Sequence, residues 1–270
     1  MPTLFMNLNR DFAAIQPHKE HFPTAVEAAL VAVLLLPWEN WVEYLDVDWR
    51  AFRVPWVYSV DDDIFQRTAP PPTPDSLSWE PKLFQDEHGQ SVEIDTPTQL
   101  PISEPASQAP GWLNDQAWAA LQRARKSELF GNPVAHFLVH AFLADGIDEF
   151  LAHIAVIEAA LGLGIDYDNR NRPKLSDGKN PGATIRVASR LSALMGTGSA
   201  GTDFQHLFDT RSQFVHGRAM APIPGLDRNL AHTLARQTAV AIIKAALAEP
   251  APTSREAYLN DLLTTGHALS

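Results

Sequence analysis

No cysteine occurs among the 270 residues. That excludes a disulfide framework, thiolate nucleophiles and cysteine metal ligands, and it fits a reducing compartment. No apolar run reaches the ~18 residues a membrane span requires. The run from Ala28 to Leu36 is too short and is closed by Pro37. Met1 to Arg10 lacks the basic-then-apolar order of a secretion signal, so a cytoplasmic protein without membrane association is expected. Basic residues are also scarce. Lys and Arg total 21 against 32 Asp and Glu, a net charge of −11. An acidic chain excludes a general nucleic-acid coat while leaving room for a local site.

The acidic excess is confined to one part. Residues 1–110 hold 17 Asp and Glu but only six Lys and Arg, whereas residues 111–270 hold 15 of each. Proline follows the same division, with 14 of its 21 copies in residues 1–110. The chain therefore reads as two parts. Residues 1–110 form a small acidic, Pro/Trp-rich domain, α+β or irregular, and residues 111–270 form a helical bundle. The fold class is mainly α.

In the first part, Pro23 to Leu36 reads as an apolar helix, and Trp38 to Trp49 as a second, amphipathic one. Phe52 to Val60 is rich in strand formers. Pro70-Pro71-Pro72-Thr73-Pro74 is a stiff spacer. Leu83 to Ile94 suits a hairpin turning at Glu87-His88-Gly89, and Thr96 to Pro110 suits a linker. In the second part, Trp112 to Leu129 reads as one helix capped by Asn114 or Asp115. Val134 to Leu163 reads as one long helix, apolar on more than one face. A polar loop follows over Asp166 to Gly182, then a helix begun by Pro181. Gly196 to Gly201 is a flexible turn. Asp227 and Ser254 cap two further helices.

The best chemical clue is the stretch from Phe204 to Gly217. At 100° per residue, Phe204, Leu207, Phe208, Phe214 and Val215 share one arc. Arg211 falls near its middle, where packing alone asks for leucine. A buried charge needs a partner or a function. Five residues on comes His216, followed by Gly217 as a helix C-cap. Arginine offers a planar fork to phosphate oxygens, and histidine moves protons near neutral pH. The pair suits phosphodiester cleavage without a metal. It equally suits an arginine held by a buried acid and a histidine that merely caps a helix.

Other patterns carry less. Glu158 lies among apolar neighbours and is expected to pair with Arg211, Arg186 or Arg190. Residues 166–190 carry six basic and three acidic side chains. Arg170, Arg172, Lys174, Lys179, Arg186 and Arg190 are therefore candidate RNA contacts, though a solvated loop reads the same way. Gly196-Thr197-Gly198-Ser199-Ala200-Gly201 matches GxGxxG, but a helix rather than a strand precedes it, so no nucleotide site is expected. His136 and His140 have metal-ligand spacing without a third ligand, and Asp61-Asp62-Asp63 follows an expected strand end. No metal and no cofactor is expected.

Three stretches together carry a resemblance. They are Phe150 to Leu161, Ala183 to Leu191, and Phe208 to Gly217, in that order. Over residues 134–248 the chain resembles the HEPN superfamily, in particular its Apea-like group. The family motif, Arg followed by a polar residue and then His, is filled by Arg211, Ser212 and His216. Ser212 stands where Asn or Asp is frequent. The resemblance implies a helical bundle that forms a homodimer about the motif helix, with residues of both chains sharing one cleft. It implies a metal-independent endoribonuclease of toxin–antitoxin or defence type, with RNA as substrate. Arg211 and His216 would be catalytic, and Ser212 and Glu158 supporting. It also allows a non-catalytic module that binds RNA or protein. Restraint by an inhibitory partner protein, or by acidic residues 1–110 covering the cleft, is a further expectation. In the latter case deleting 1–110 would raise activity.

Overall fold

The computed structural model describes residues 24–40, 79–85, 88–97, 113–144, 146–175, 177–217 and 223–269. These contain eight α-helices, two short 3-10 turns and one two-stranded sheet. The helices are α1 (Thr24–Leu34), α2 (Asp115–Ala124), α3 (Asn132–Leu143), α4 (Gly146–Leu161), α5 (Ala183–Met195), α6 (Gly198–Val215), α7 (Gly225–Ala246) and α8 (Arg255–His267). The strands, β1 (Trp79–Gln85) and β2 (Ser91–Pro97), pair antiparallel with Phe84 opposite Val92. Their turn contains His88 and Gly89, the latter at φ 76°, where a glycine is favoured. The expected hairpin is therefore present. The Phe52–Val60 strand, the Trp41–Trp49 part of the second helix and Asp61–Asp63 lie outside the described residues.

One apolar core joins the helices. Phe130, Phe150, Ile154, Ile157, Leu161, Leu191, Phe204, Leu207 and Ile242 are all buried within it. α5 lies deepest, with every residue from Arg186 to Ser192 buried. Its neighbours come unusually close at two glycines. A Cβ on Gly266 of α8 would stand 1.7 Å from the Ser189 carbonyl oxygen, and one on Gly201 of α6 would stand 2.6 Å from that of Ala188. Only glycine permits these approaches. Gly201 is thus a packing residue inside a helix. The expected flexible turn over 196–201 shrinks to Gly196, which ends α5 at φ 70°, and Thr197, whose hydroxyl caps α6.

Two further expectations change. The long helix over 134–163 is broken: α3 ends at Leu143, and α4 begins at Gly146, whose φ is 61°. The break lets α3 and α4 pack on each other as a hairpin. The division at residue 110 does not separate the packing either. Leu30, Val31 and Leu34 of α1 belong to the same core cluster as Leu121, Phe130 and Phe142. Helix starts follow their caps. Asn114 accepts from the Ala117 N–H at 2.9 Å, and Ser254 accepts from the Ala257 N–H at 3.1 Å. Asp227 is not a cap; α7 starts two residues earlier, after Pro224.

Candidate functional site

The sequence of α6 determines where Arg211 and His216 emerge. Phe204 and Leu207 are fully buried and fix the rotation of the helix. One turn past Leu207, Arg211 reaches the margin of the bundle and is half-buried. Its guanidinium carbon lies 5.1 Å from the centroid of Phe208, in cation–π range. No carboxylate among the described residues lies within 4 Å of it. The apolar arc then leaves the core, so Phe214 is half-buried and Val215 is 55% exposed. That departs from the continuous seam the periodicity implies.

His216 is the C-cap residue of α6, and its side chain is exposed. Its backbone N–H donates to the Ser212 carbonyl at 3.1 Å. Gly217 follows at φ 66° and donates to the Phe214 carbonyl at 3.0 Å. This is the glycine-terminated helix end that the sequence indicates. Ser212 is half-buried one residue from Arg211. A tie that sequence reasoning missed holds the motif helix to α7: His206 Nε2 lies 3.2 Å from Asp227 Oδ1. The separation of 21 residues along the chain leaves no local pattern to betray it.

Glu158 is half-buried on α4. Burial pushes its carboxyl above the usual range, while the Arg211 charge and the Tyr167 hydroxyl opposite pull it down in part. The expected ion pair is not formed: among the described residues Glu158 has no arginine within 4 Å, and Arg186 and Arg190 are taken up by Asp166 instead. Tyr167 ends the 3-10 turn Gly164–Tyr167, and burial, more than the Glu158 charge, raises its phenol above the usual range.

The candidate RNA contacts divide. Arg170, Lys174 and Lys179 are exposed, and Lys179 pairs with Asp177 at 3.1 Å. Arg186 and Arg190 are not surface cations at all, being 1% and 0% exposed. Both converge on Asp166, which is itself fully buried. Arg190 grips it with both terminal nitrogens, Nη1 to Oδ2 and Nη2 to Oδ1. Arg190 also donates to the Leu259 carbonyl at 3.0 Å and the Leu161 carbonyl at 2.9 Å. Arg186 Nη1 stands 3.8 Å from Asp166, and its other nitrogens donate to the Pro173 and Pro181 carbonyls. Arg172 is half-buried and donates to the Asp166 carbonyl and to Asn180. These arginines tie the 166–182 loop to α5 and to the open carbonyls at the end of α4. The RNA-contact expectation fails for Arg186 and Arg190 because a buried acid and main-chain carbonyls consume their donors.

A second buried polar cluster joins the chain's two parts. Glu39, in the 3-10 turn Trp38–Asn40, accepts from Arg236 Nε of α7 at 2.8 and 3.0 Å and also from Nη2. His232 Nε2 lies 3.5 Å from the same carboxylate, and the His232 and His153 rings meet edge to face at 5.2 Å. Burial pushes the Glu39 carboxyl up, yet its bonds to His232 and Arg236 and the Arg236 charge hold it below the usual range. A depressed acid stabilises the fold fully above its unfolded pKa and loses that contribution as pH falls through the folded value. Glu39→Gln should therefore lower stability at pH 7 by about 1.5–3 kcal/mol. The gap to the wild type should close as pH drops below about 4. Urea unfolding of both proteins across pH checks this; a gap that stays constant contradicts it.

His136 and His140 are stacked at 6.2 Å, ring to ring. Among the described residues no group of three His, Cys, Asp or Glu is placed to hold a metal ion. No helix among them is long and apolar enough to cross a membrane. Fold and site together define a mainly helical protein with a cation and a histidine at the free end of one helix. Compared with known proteins, the chain matches no family model, no curated protein and no solved structure.

Proposed function

We propose that the protein is a metal-independent endoribonuclease of the HEPN type, acting as a homodimer. The observation that carries the reading is Arg211 itself. A guanidinium is half-buried on Phe208 near the C-terminal end of α6, with no carboxylate among the described residues within 4 Å, and exposed His216 lies at the same helix end. A phosphate oxygen is the counterion that such a fork fits.

In this reading the RNA 2′-hydroxyl attacks the adjacent phosphorus and the 5′-oxygen leaves. His216 moves the proton, as base or acid. Arg211 holds the charge that develops on the phosphorane oxygens. Ser212 orients the pair or touches the phosphate. Val215, 55% exposed, and Leu226, 76% exposed at the start of α7, offer apolar surface for a second copy near the motif. Two copies would bring two histidines to one cleft.

A non-catalytic RNA- or protein-binding module is the second reading. The charge of Arg211 acting on Glu158 favours it, since that is how a structural cation behaves. RNA cleavage in EDTA separates the two. The wild type should cleave, and His216→Ala and Arg211→Ala should each lose about 10²–10⁴-fold while melting as the wild type does. No cleavage by any form across RNAs and pH selects the module. Activity abolished by EDTA contradicts the metal-free mechanism.

A further inference from the structure

A cavity of about 200 Å³ opens where the 166–182 loop meets α5 and α8. Its wall takes Lys174 from the loop, Arg186 from α5, and Asn260, Leu263, Thr264 and His267 from α8. The four α8 residues stand at i, i+3, i+4 and i+7, one stripe of the helix, and three of them are polar. No carboxylate belongs to the wall among the described residues. Asp177, which meets His267 Nε2 at 3.0 Å, stands outside it and is shared with Lys179 at 3.1 Å. Behind this wall positive charge is in excess. Arg186 and Arg190 are both buried, and Asp166 is the one carboxylate among the described residues within 4 Å of either. Arg190 takes both its oxygens. Arg190 and Arg255 are further offset by carbonyls at the end of α4: Leu161 for the first, Ala159 and Ala160 for the second. Arg186 is left with a long contact to Asp166, at 3.8 Å, and with loop oxygens of Pro173, Pro181 and Asn180, which are dipoles and carry no full charge. A buried cation so weakly countered is costly, and this one lines the cavity.

We infer that this cavity is a binding site for a free phosphate-sized oxyanion, held between the 166–182 loop and α8. Arg186 supplies fixed positive charge at the inner wall, and exposed Lys174 a second cation. Asn260 offers amide donors. The Thr264 hydroxyl, bonded here to the Asn260 carbonyl at 3.1 Å, is free to rotate towards an anion. Size decides between a free anion and a larger molecule. Pockets for drug-sized ligands run to about 300–1,000 Å³, so this one takes a single oxyanion and has no room for a nucleoside attached to it. The site uses neither Arg211 nor His216 and does not rest on the ribonuclease reading. A bound anion ties the loop to α8, so phosphate stabilises the fold by linkage.

Inorganic phosphate is titrated into the full chain by calorimetry, in chloride at constant ionic strength. The chain carries Arg211→Ala, so that the α6 site contributes no binding. The expected dissociation constant is about 0.1–1 mM, and ~10 mM phosphate should raise the melting temperature by about 3–10 °C over chloride. Lys174→Glu, at an exposed position, should weaken binding at least about tenfold. Thr264→Val, which keeps the volume and drops the hydroxyl on the opposite wall, should weaken it about 3–10-fold. Lys126→Glu makes the same charge change at an exposed position outside the cavity and should stay within about twofold of its parent. Adenosine 5′-monophosphate should bind no tighter than inorganic phosphate. The phosphate site is overturned if no binding is seen up to about 10 mM, if Lys174→Glu or Thr264→Val binds as its parent does, or if Lys126→Glu is as impaired as Lys174→Glu. A nucleotide bound more than about tenfold tighter than phosphate would also overturn it, in favour of a nucleotide site. Neither RNA cleavage nor its absence bears on these results, so the two readings fail separately.

Discussion

Asp166→Ala is expected to destabilise the protein by about 3–5 kcal/mol, the cost of stripping the partner from a buried charge. Asp166 has no solvent contact, and it accepts from both terminal nitrogens of Arg190 and from the Leu163 N–H at 2.9 Å. Without it, Arg190 and Arg186 face each other in the interior with only carbonyl oxygens around them. Burial and the Arg190 charge already work against the Arg186 cation, and Asp166 is what offsets them. Asp166→Asn should fall in the same direction but less far, since the amide oxygen still accepts one bond. Urea unfolding monitored by helical circular dichroism gives the number. A loss under about 0.5 kcal/mol, the range of ordinary surface changes, would contradict the assignment. Lys174→Ala is the control: that side chain is exposed and should leave stability unchanged.

Removing the acidic first part is expected to cost the fold rather than release an activity. α1 lies within the core through Leu30, Val31 and Leu34, exposed by 5%, 0% and 2%. Glu39 holds Arg236, which is itself buried. A chain lacking 1–110 leaves those apolar partners open and strands the Arg236 charge. Such a product should aggregate or melt far below the full chain. A gentler version is Leu34→Ala, with an expected loss of about 2–5 kcal/mol. A deletion product that melts as the full chain does would overturn this, and would reopen deletion as a way of asking whether acidic residues mask the cleft. While the fold depends on α1, that question belongs to charge-reversing substitutions outside 24–40.

The parts of the fold that could be read from the sequence are those specified by neighbours in the chain. Asn114 and Ser254 cap helices because their oxygens meet an N–H three residues on. Gly89 and Gly217 mark a hairpin turn and a helix end because both need a positive φ. The α6 pattern locates Arg211 and His216 for the same reason. What stayed hidden depends on pairing across distance. Glu39 and Arg236 are 197 residues apart, and each alone looks like a solvated charge. Arg186 and Arg190, one turn apart, read as a basic face until Asp166 is seen beneath them. The break at 144–146 was invisible because α3 and α4 are both apolar on several sides, so the periodicity runs on without a fault.

Whether Arg211 and His216 act on a phosphodiester is reported most directly by the ends of cleaved RNA. The full chain is incubated in EDTA with a single-stranded RNA, the cut is mapped, and the RNA is remade with a 2′-deoxy sugar at that position. The expected result is a 2′,3′-cyclic phosphate and a 5′-hydroxyl at the cut, no cut at the deoxy position, and no cut by a folded His216→Ala chain. Intact RNA under all conditions, or 5′-phosphate ends that appear only with a divalent metal, would contradict it.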